Sequence, residues 1–395
     1  MTSPLRQTLT SRRFWSYSLV AALCRAPALM VAVATTTTAL LLTGRIDTGA
    51  LMTTCHVAGT LAATPLAARI VGGLPAARVL TAQMSAHGLL WAAVTVAIGT
   101  GAPAWTWYLG AALAGASLAG SGGALRSLLP YTVPESAGRS ASTVDVTFMD
   151  VLIFLAPLAV AAAAPVHPLG PIAAMAAASL VAVAVIPFAG LPAPDADTAR
   201  RGGHRPRWNT AAVAWIVFGA MIGVYFATVE VGATALVVSL GLDVGLAWTV
   251  FLVLSAASVV GGYLDAARTP GRREGLWAFG AAALLVAGCL LLASGPSLPL
   301  AALALALSGL PVAALLGLRS HMIDLAVPPG QRAGYFSWAF AAQNVGFAAG
   351  SAALAVVGQP VLLTAASLAT LASLVVAVGL SRSLREPAAE PAAAL

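Results

Sequence analysis

The sequence predicts an all-α membrane protein of twelve transmembrane helices arranged as two six-helix bundles. Three observations lead there. Of 395 residues, 59% are hydrophobic and 8% charged, whereas soluble domains carry about 25% charged residues, so this chain cannot cover a water-facing surface of its size. Apolar runs of the ~20 residues needed to cross a bilayer recur along it. The first set of runs is echoed by the second at a fixed offset. A net charge of +7 raises the question of nucleic acid. All the basic residues are Arg, however, placed singly or in short groups between apolar runs. The lipid bilayer is the expected partner, and nucleic acid is not.

Residues 1–13 read as a cytoplasmic leader carrying Arg6, Arg12 and Arg13. The apolar run behind it is too long for the core of a signal peptide. Six runs follow, at 14–42, 49–70, 79–100, 105–128, 142–163 and 171–191, and make the N-terminal bundle 14–191. Residues 192–209, with Arg200, Arg201, Arg205 and Arg207, form a polar linker expected to lie on the anionic cytoplasmic leaflet. Runs at 210–239, 244–264, 275–294, 298–320, 334–356 and 361–381 make the C-terminal bundle 210–381, and 382–395 is a cytoplasmic tail. Cys24, Cys55 and Cys289 fall inside apolar runs without a CxxC spacing, so they read as small hydrophobes.

With the N-terminus in the cytoplasm, every arginine except Arg25 and Arg45 falls in the leader, the tail or an inward-facing loop. The positive-inside rule then places both termini in the cytoplasm of a plasma-membrane protein. Trp105, Trp107 and Tyr108 near one face, and Trp15, Trp208 and Trp277 near the other, fit interfacial aromatic belts.

The echo between halves is specific. Leu125-Arg126-Ser127 closes span 4 and Leu318-Arg319-Ser320 closes span 10, 193 residues later. Val133-Pro134 and Val327-Pro328 follow at nearly the same distance, and Phe154 and Phe347 mark spans 5 and 11 at the same offset. Parallel repeats of six spans with a midplane site are a secondary-transporter plan.

On these features the chain resembles the major facilitator superfamily, in particular its Ala-rich bacterial members, over residues 14–381. The resemblance implies a loop between spans 2 and 3 of the form G-x-L-a-D-r-x-G-r-r. The matching stretch runs from Pro65 through Arg69 to Arg78; Gly72 replaces its acid, and Ala76 and Ala77 replace two basic residues. The ion pairs of that loop therefore cannot form in their usual way. The Gly-Pro pair of exporters in span 5 is reduced to Ala156-Pro157. Small solutes, protons and a monomeric state are what the resemblance implies.

Ionisable groups at membrane depth are costly and tend to be paired and functional. Arg25 lies ~16 Å into span 1 and Asp150 ~12 Å into span 5, so the two are expected to form a buried pair or to exchange partners with a proton or an anionic solute. The repeat places Gln343, beside Asn344, opposite Asp150. Glu230 in span 7, near Tyr225, is the expected proton carrier, with His56 in span 2 as its candidate partner. Asp145 reads as an acid at the start of a helix, favoured by the dipole. Arg126, Arg319 and Pro157 read as gating or structural positions, Gly346 and Gly350 as helix-packing positions, and His87 and Trp91 as scaffold.

No metal cluster, catalytic motif or P-loop is present, so no cofactor, intramembrane enzyme or ATP-driven pump is expected. The Ala-rich spans favour proton-coupled export of a small amphipathic, drug-like compound. The alternatives are a symporter of a small, anionic metabolite and a non-transporting receptor or lipid-moving protein of the same shape.

Overall fold

The computed structural model describes residues 3–44, 47–71, 74–191, 208–230, 236, 240–241, 248–269, 274–295 and 297–381. They are helical almost throughout, without strands among the described residues. The elements are α1 (Pro4–Thr10), α2 (Arg12–Thr43), α3 (Asp47–Val71), α4 (Ala76–Gly99), α5 (Ala104–Leu118), α6 (Ser121–Leu128), α7 (Gly138–Ala163) and α8 (Gly170–Val185). After the linker come α9 (Thr210–Glu230), α10 (Trp248–Ala267), α11 (Glu274–Ala293), α12 (Leu298–Gly309), α13 (Val312–Ala326), α14 (Arg332–Val357) and α15 (Gln359–Leu380). Helix occupies each of the twelve predicted runs, and eight helical stretches among the described residues are long and apolar enough to cross a bilayer.

Two predicted runs are each a pair of helices. Span 4 breaks between α5 and α6 at Gly120, whose φ of 84° is a left-handed conformation that only glycine adopts readily. Span 10 breaks between α12 and α13 just before Pro311, whose ring cannot continue a helical ladder. Backbone groups freed inside a membrane must be satisfied by protein. The Gln83 amide donates to the Ala119 carbonyl at 2.5 Å at the first break, and Ser258 Oγ accepts from the Ala313 N–H at 3.2 Å beside the second. Hydropathy registers only average apolarity, so neither break shows in it. The leader also holds a short helix, α1, capped by Ser3.

The chain forms two compact units, Met1–Arg205 with Pro329–Ala341 and Pro206–Pro328 with Ala342–Leu395. In the first, α2 packs on α8, α3 on α5, and α4 on α5 and α8. In the second, α9 packs on α15, α10 on α12, and α11 on α12 and α15. These are the same pairings transposed by one repeat. Each first span is also pinned at its start to the end of the fourth. Ser11 Oγ accepts from the Phe14 N–H and donates to the Thr132 carbonyl at 2.6 Å. Asn209 caps α9 and donates to the Ala326 carbonyl at 3.1 Å.

Small residues set the helix spacing. A Cβ added at Gly59 would overlap the Ala112 carbonyl, and one at Gly115 the His56 carbonyl, so α3 and α5 touch backbone to backbone. Thr60 Oγ1 lies 3.0 Å from the His56 carbonyl and 2.9 Å from that of Gly115, across this seam. At Gly261 the Leu310 carbonyl takes the same place between α10 and α12. Without a hydrophobic gradient in lipid, such close packing supplies much of the association energy.

Candidate functional site

Three helices of the first unit converge on one carboxylate. Arg25 leaves α2 two residues before Pro27, Arg126 lies in the last turn of α6, and Asp145 lies on α7. The break at Gly120 starts α6 afresh, and it is this separate helix that carries Arg126. Arg25 grips Asp145 with both terminal nitrogens, Nη1 to Oδ1 at 2.8 Å and Nη2 to Oδ2 at 3.0 Å. Arg126 Nη1 donates to Oδ2 of the same carboxylate, and its Nη2 lies 3.4 Å from the Ser142 carbonyl. The side chains of Arg126 and Asp145 are 2% and 4% exposed, that of Arg25 10%. The Phe336 ring, in the same unit, lies 5.9 Å from the Arg126 guanidinium carbon, and Tyr17, wholly buried, adjoins all three charges.

This corrects two expectations. The carboxylate that binds Arg25 is Asp145, where the sequence reading chose Asp150. Five residues along a helix is about 140° around it, so the two acids point to different sides of α7; Asp150 is buried and engaged in an interaction of its own. Nor is Asp145 a dipole-stabilised acid at a helix start. It is the eighth residue of α7, beyond the first turn in which the dipole acts, and two guanidinium groups hold it instead. Tyr17 escaped the sequence reading altogether. Its signal was its place two turns before Arg25 on the same face of α2, with Ala21 between them.

The second unit repeats the arginine, and an amide is among its partners. Arg319 Nη1 donates to Gln343 Oε1 at 2.8 Å. Gly219 makes room for it, since a Cβ there would overlap the guanidinium. Gln343 occupies the position that the repeat pairs with Asp150, so the two arginines take partners at different registers of their equivalent helices. Asn344, next to it, is exposed. Gly346 lies against the Ala220 carbonyl and Gly350 against Val224 and Ala227, so both pack α14 on α9 within one chain.

Glu230 is the last described residue of α9, half-buried and with a partner; most of the remainder of span 7, toward residue 239, lies outside the described residues. Tyr225 is wholly buried beside Cys289 and Ser308, which makes it part of the packed interior of its bundle. Pro157 lies within α7, its side chain outside the described set. Gly72, the altered acidic position of the loop motif, and the arginines of the linker and tail likewise fall outside it.

His56 sits among His87 and Trp91 of its own bundle, with ring centroids 5.7 and 5.9 Å away. Trp91 Nε1 donates to His87 Nε2 at 3.0 Å, and His87 Nδ1 lies 2.8 Å from Ser179 Oγ. Indole N–H is a donor only, so His87 Nε2 is the acceptor and its proton is on Nδ1. Ser179 Oγ passes the chain on to the Met175 carbonyl at 3.1 Å. This satisfied relay ties α4 to α8 and agrees with a scaffold role for His87 and Trp91. Arg268 is a second tie that the sequence did not reveal. It joins Asp265 at 3.6 Å and Glu274 at 3.3 Å and lies 4.4 Å from the Trp277 ring, holding the end of α10 to the start of α11. Among the described residues no group of three or more His, Cys, Asp or Glu side chains could hold a metal ion.

No protein-family model matches the sequence, and no curated protein does either. Solved structures do match the fold. The human organic anion transporter MFSD10 (TETRAN) superposes with a TM-score of 0.70 at 15% identity, covering 95% of this chain and all of that one. A bacterial homologue of the iron transporter ferroportin, in an outward-facing state, gives 0.71 at 12% identity over 95% of this chain and 99% of its own. The major facilitator superfamily transporter FucP, in its outward conformation, gives 0.66 at 14% over 93% and 100%. At such identities the likeness establishes architecture alone.

Proposed function

We propose that this chain, whose fold is that of the major facilitator superfamily, is a secondary active transporter that moves a small organic compound across a cell membrane by alternating access. The observation that carries the reading is the cluster of Arg25, Asp145 and Arg126, buried within a bundle of membrane-spanning helices. Burying three charged groups in that setting is expensive, and apolar side chains would hold three helices together at lower cost. A charge cluster in that setting is therefore expected to handle something that passes. Repeated six-helix units support a mechanism in which one bundle rocks against the other. The proton is the driving ion we assign, with Glu230 as its carrier, and the Ala-rich spans favour export of an amphipathic compound. Both termini are assigned to the cytoplasm on the arginine distribution.

The experiment is substrate-dependent proton flux in proteoliposomes of purified protein, run with a chemically diverse library under an imposed pH gradient. Export by proton antiport predicts that at least one compound is driven against its own gradient as protons run down theirs in the opposite direction, and that Glu230→Gln abolishes proton coupling while leaving exchange of the compound. Compounds that bind yet never move protons or themselves would mark a receptor built on a transporter fold and would overturn the proposal.

A further inference from the structure

The cluster on α2, α6 and α7 does not balance. Two guanidinium groups meet one carboxylate, so the touching set carries one net positive charge. Its hydrogen bonds do not balance either. An arginine offers five N–H donors, and the Arg126 Nε–H, in a side chain only 2% exposed, has no acceptor. The Arg126 Nη2 contact to the Ser142 carbonyl, at 3.4 Å, is long. A fixed structural network normally pairs its charges, because one uncompensated charge in low dielectric is costly. Asp150, about 140° around α7 from Asp145, faces another side of that helix. Arg25 is the most exposed of the three side chains, at 10% against 2% and 4%.

We infer that Arg25 and Arg126, held by Asp145, form the binding point for an organic monoanion carrying a carboxylate. Arg25 spends its fork on Asp145, but the Nε–Nη2 edge of Arg126, with an unused donor and one long contact, matches a carboxylate with two parallel bonds, and a single negative charge closes the account of the cluster, whereas a phosphate dianion overshoots it. This rests on the transporter reading for the ligand being a passing solute.

The test uses the full-length protein in lipid nanodiscs and reads thermal unfolding with a panel of aromatic and aliphatic monocarboxylates, each matched to its neutral primary amide. At least one carboxylate raises the unfolding midpoint while its amide does not. Arg25→Gln, which brings the cluster to zero net charge, weakens that carboxylate about tenfold or more, and Arg25→Lys retains part of the binding. Asp145→Asn, with two positive charges, gains a larger shift from the carboxylate than the parent does, because the probe replaces the missing counter-ion. A purely structural cluster gives the opposite: equal response to acid and amide, or none, and no rescue of Asp145→Asn; any of these overturns the inference. A shift from phenyl phosphate that exceeds every carboxylate overturns the monoanion assignment. Counterflow with the same panel separates the two readings. Carriage of amides with acids ignored sinks this inference and leaves transport standing. Acid binding without carriage of any compound sinks transport and leaves the site.

Discussion

Asp145 accepts from arginines on two other helices, so three segments of the first bundle depend on one side chain. Removing one member of a buried ion group strands the rest, and the usual loss is ~3–5 kcal/mol. Asp145→Ala is accordingly expected to lower stability by about that amount, read as the unfolding midpoint in nanodiscs; a loss under ~1 kcal/mol would mean that water already screens the two guanidinium groups. The same residue shows how far a sequence can be read. Arg25, Arg126 and Asp145 were each legible as ionisable groups in apolar runs. Which acid Arg25 takes was not, because Asp145 and Asp150 lie ~7.5 Å apart along α7, about the reach of one arginine side chain, and on different faces of it. Only packing decides which face meets α2.

At the scale of elements, the close seams between α3 and α5 and between α10 and α12 are the repeated device. Gly59 and Gly261 meet the carbonyls of Ala112 and Leu310 with no room for a methyl group. Gly59→Val and Gly261→Val are each expected to cost at least the ~1–3 kcal/mol of an overpacked core, with loss of monodispersity on size exclusion. Gly280, in the middle of α11, has nothing within 4 Å of an added Cβ. There Gly280→Ala is expected to be neutral, or to stabilise by up to ~1 kcal/mol through helix propensity. An equal effect at all three positions would contradict the seams. The breaks in spans 4 and 10 belong to this scale too. Gly120 and Pro311 were visible as residues, but either one can also sit in a membrane helix that merely bends. The side-chain bonds from Gln83 and Ser258, contributed by neighbouring helices, are what turn them into ends.

For the whole molecule, the arginine distribution makes a prediction about topology. Single cysteines placed at Arg13 and Arg385, in a variant lacking Cys24, Cys55 and Cys289, are expected to react with an impermeant maleimide from the cytoplasmic side only, and one placed at Arg45 from the outside only. Labelling of the two ends from opposite sides would break the six-plus-six plan. The sequence by itself pointed to a helical protein of the bilayer with two related halves, since apolar run length and residue offset can be read along the chain. Tertiary structure alone decided which helices touch, where two spans break, and that Asp145 rather than Asp150 joins the arginines. The physical reason is that spans of nearly uniform apolarity carry little information about which face turns inward. Orientation about the helix axis is settled by backbone contacts at glycine and by partner choice among a few buried polar groups, and both arise only once the helices are packed.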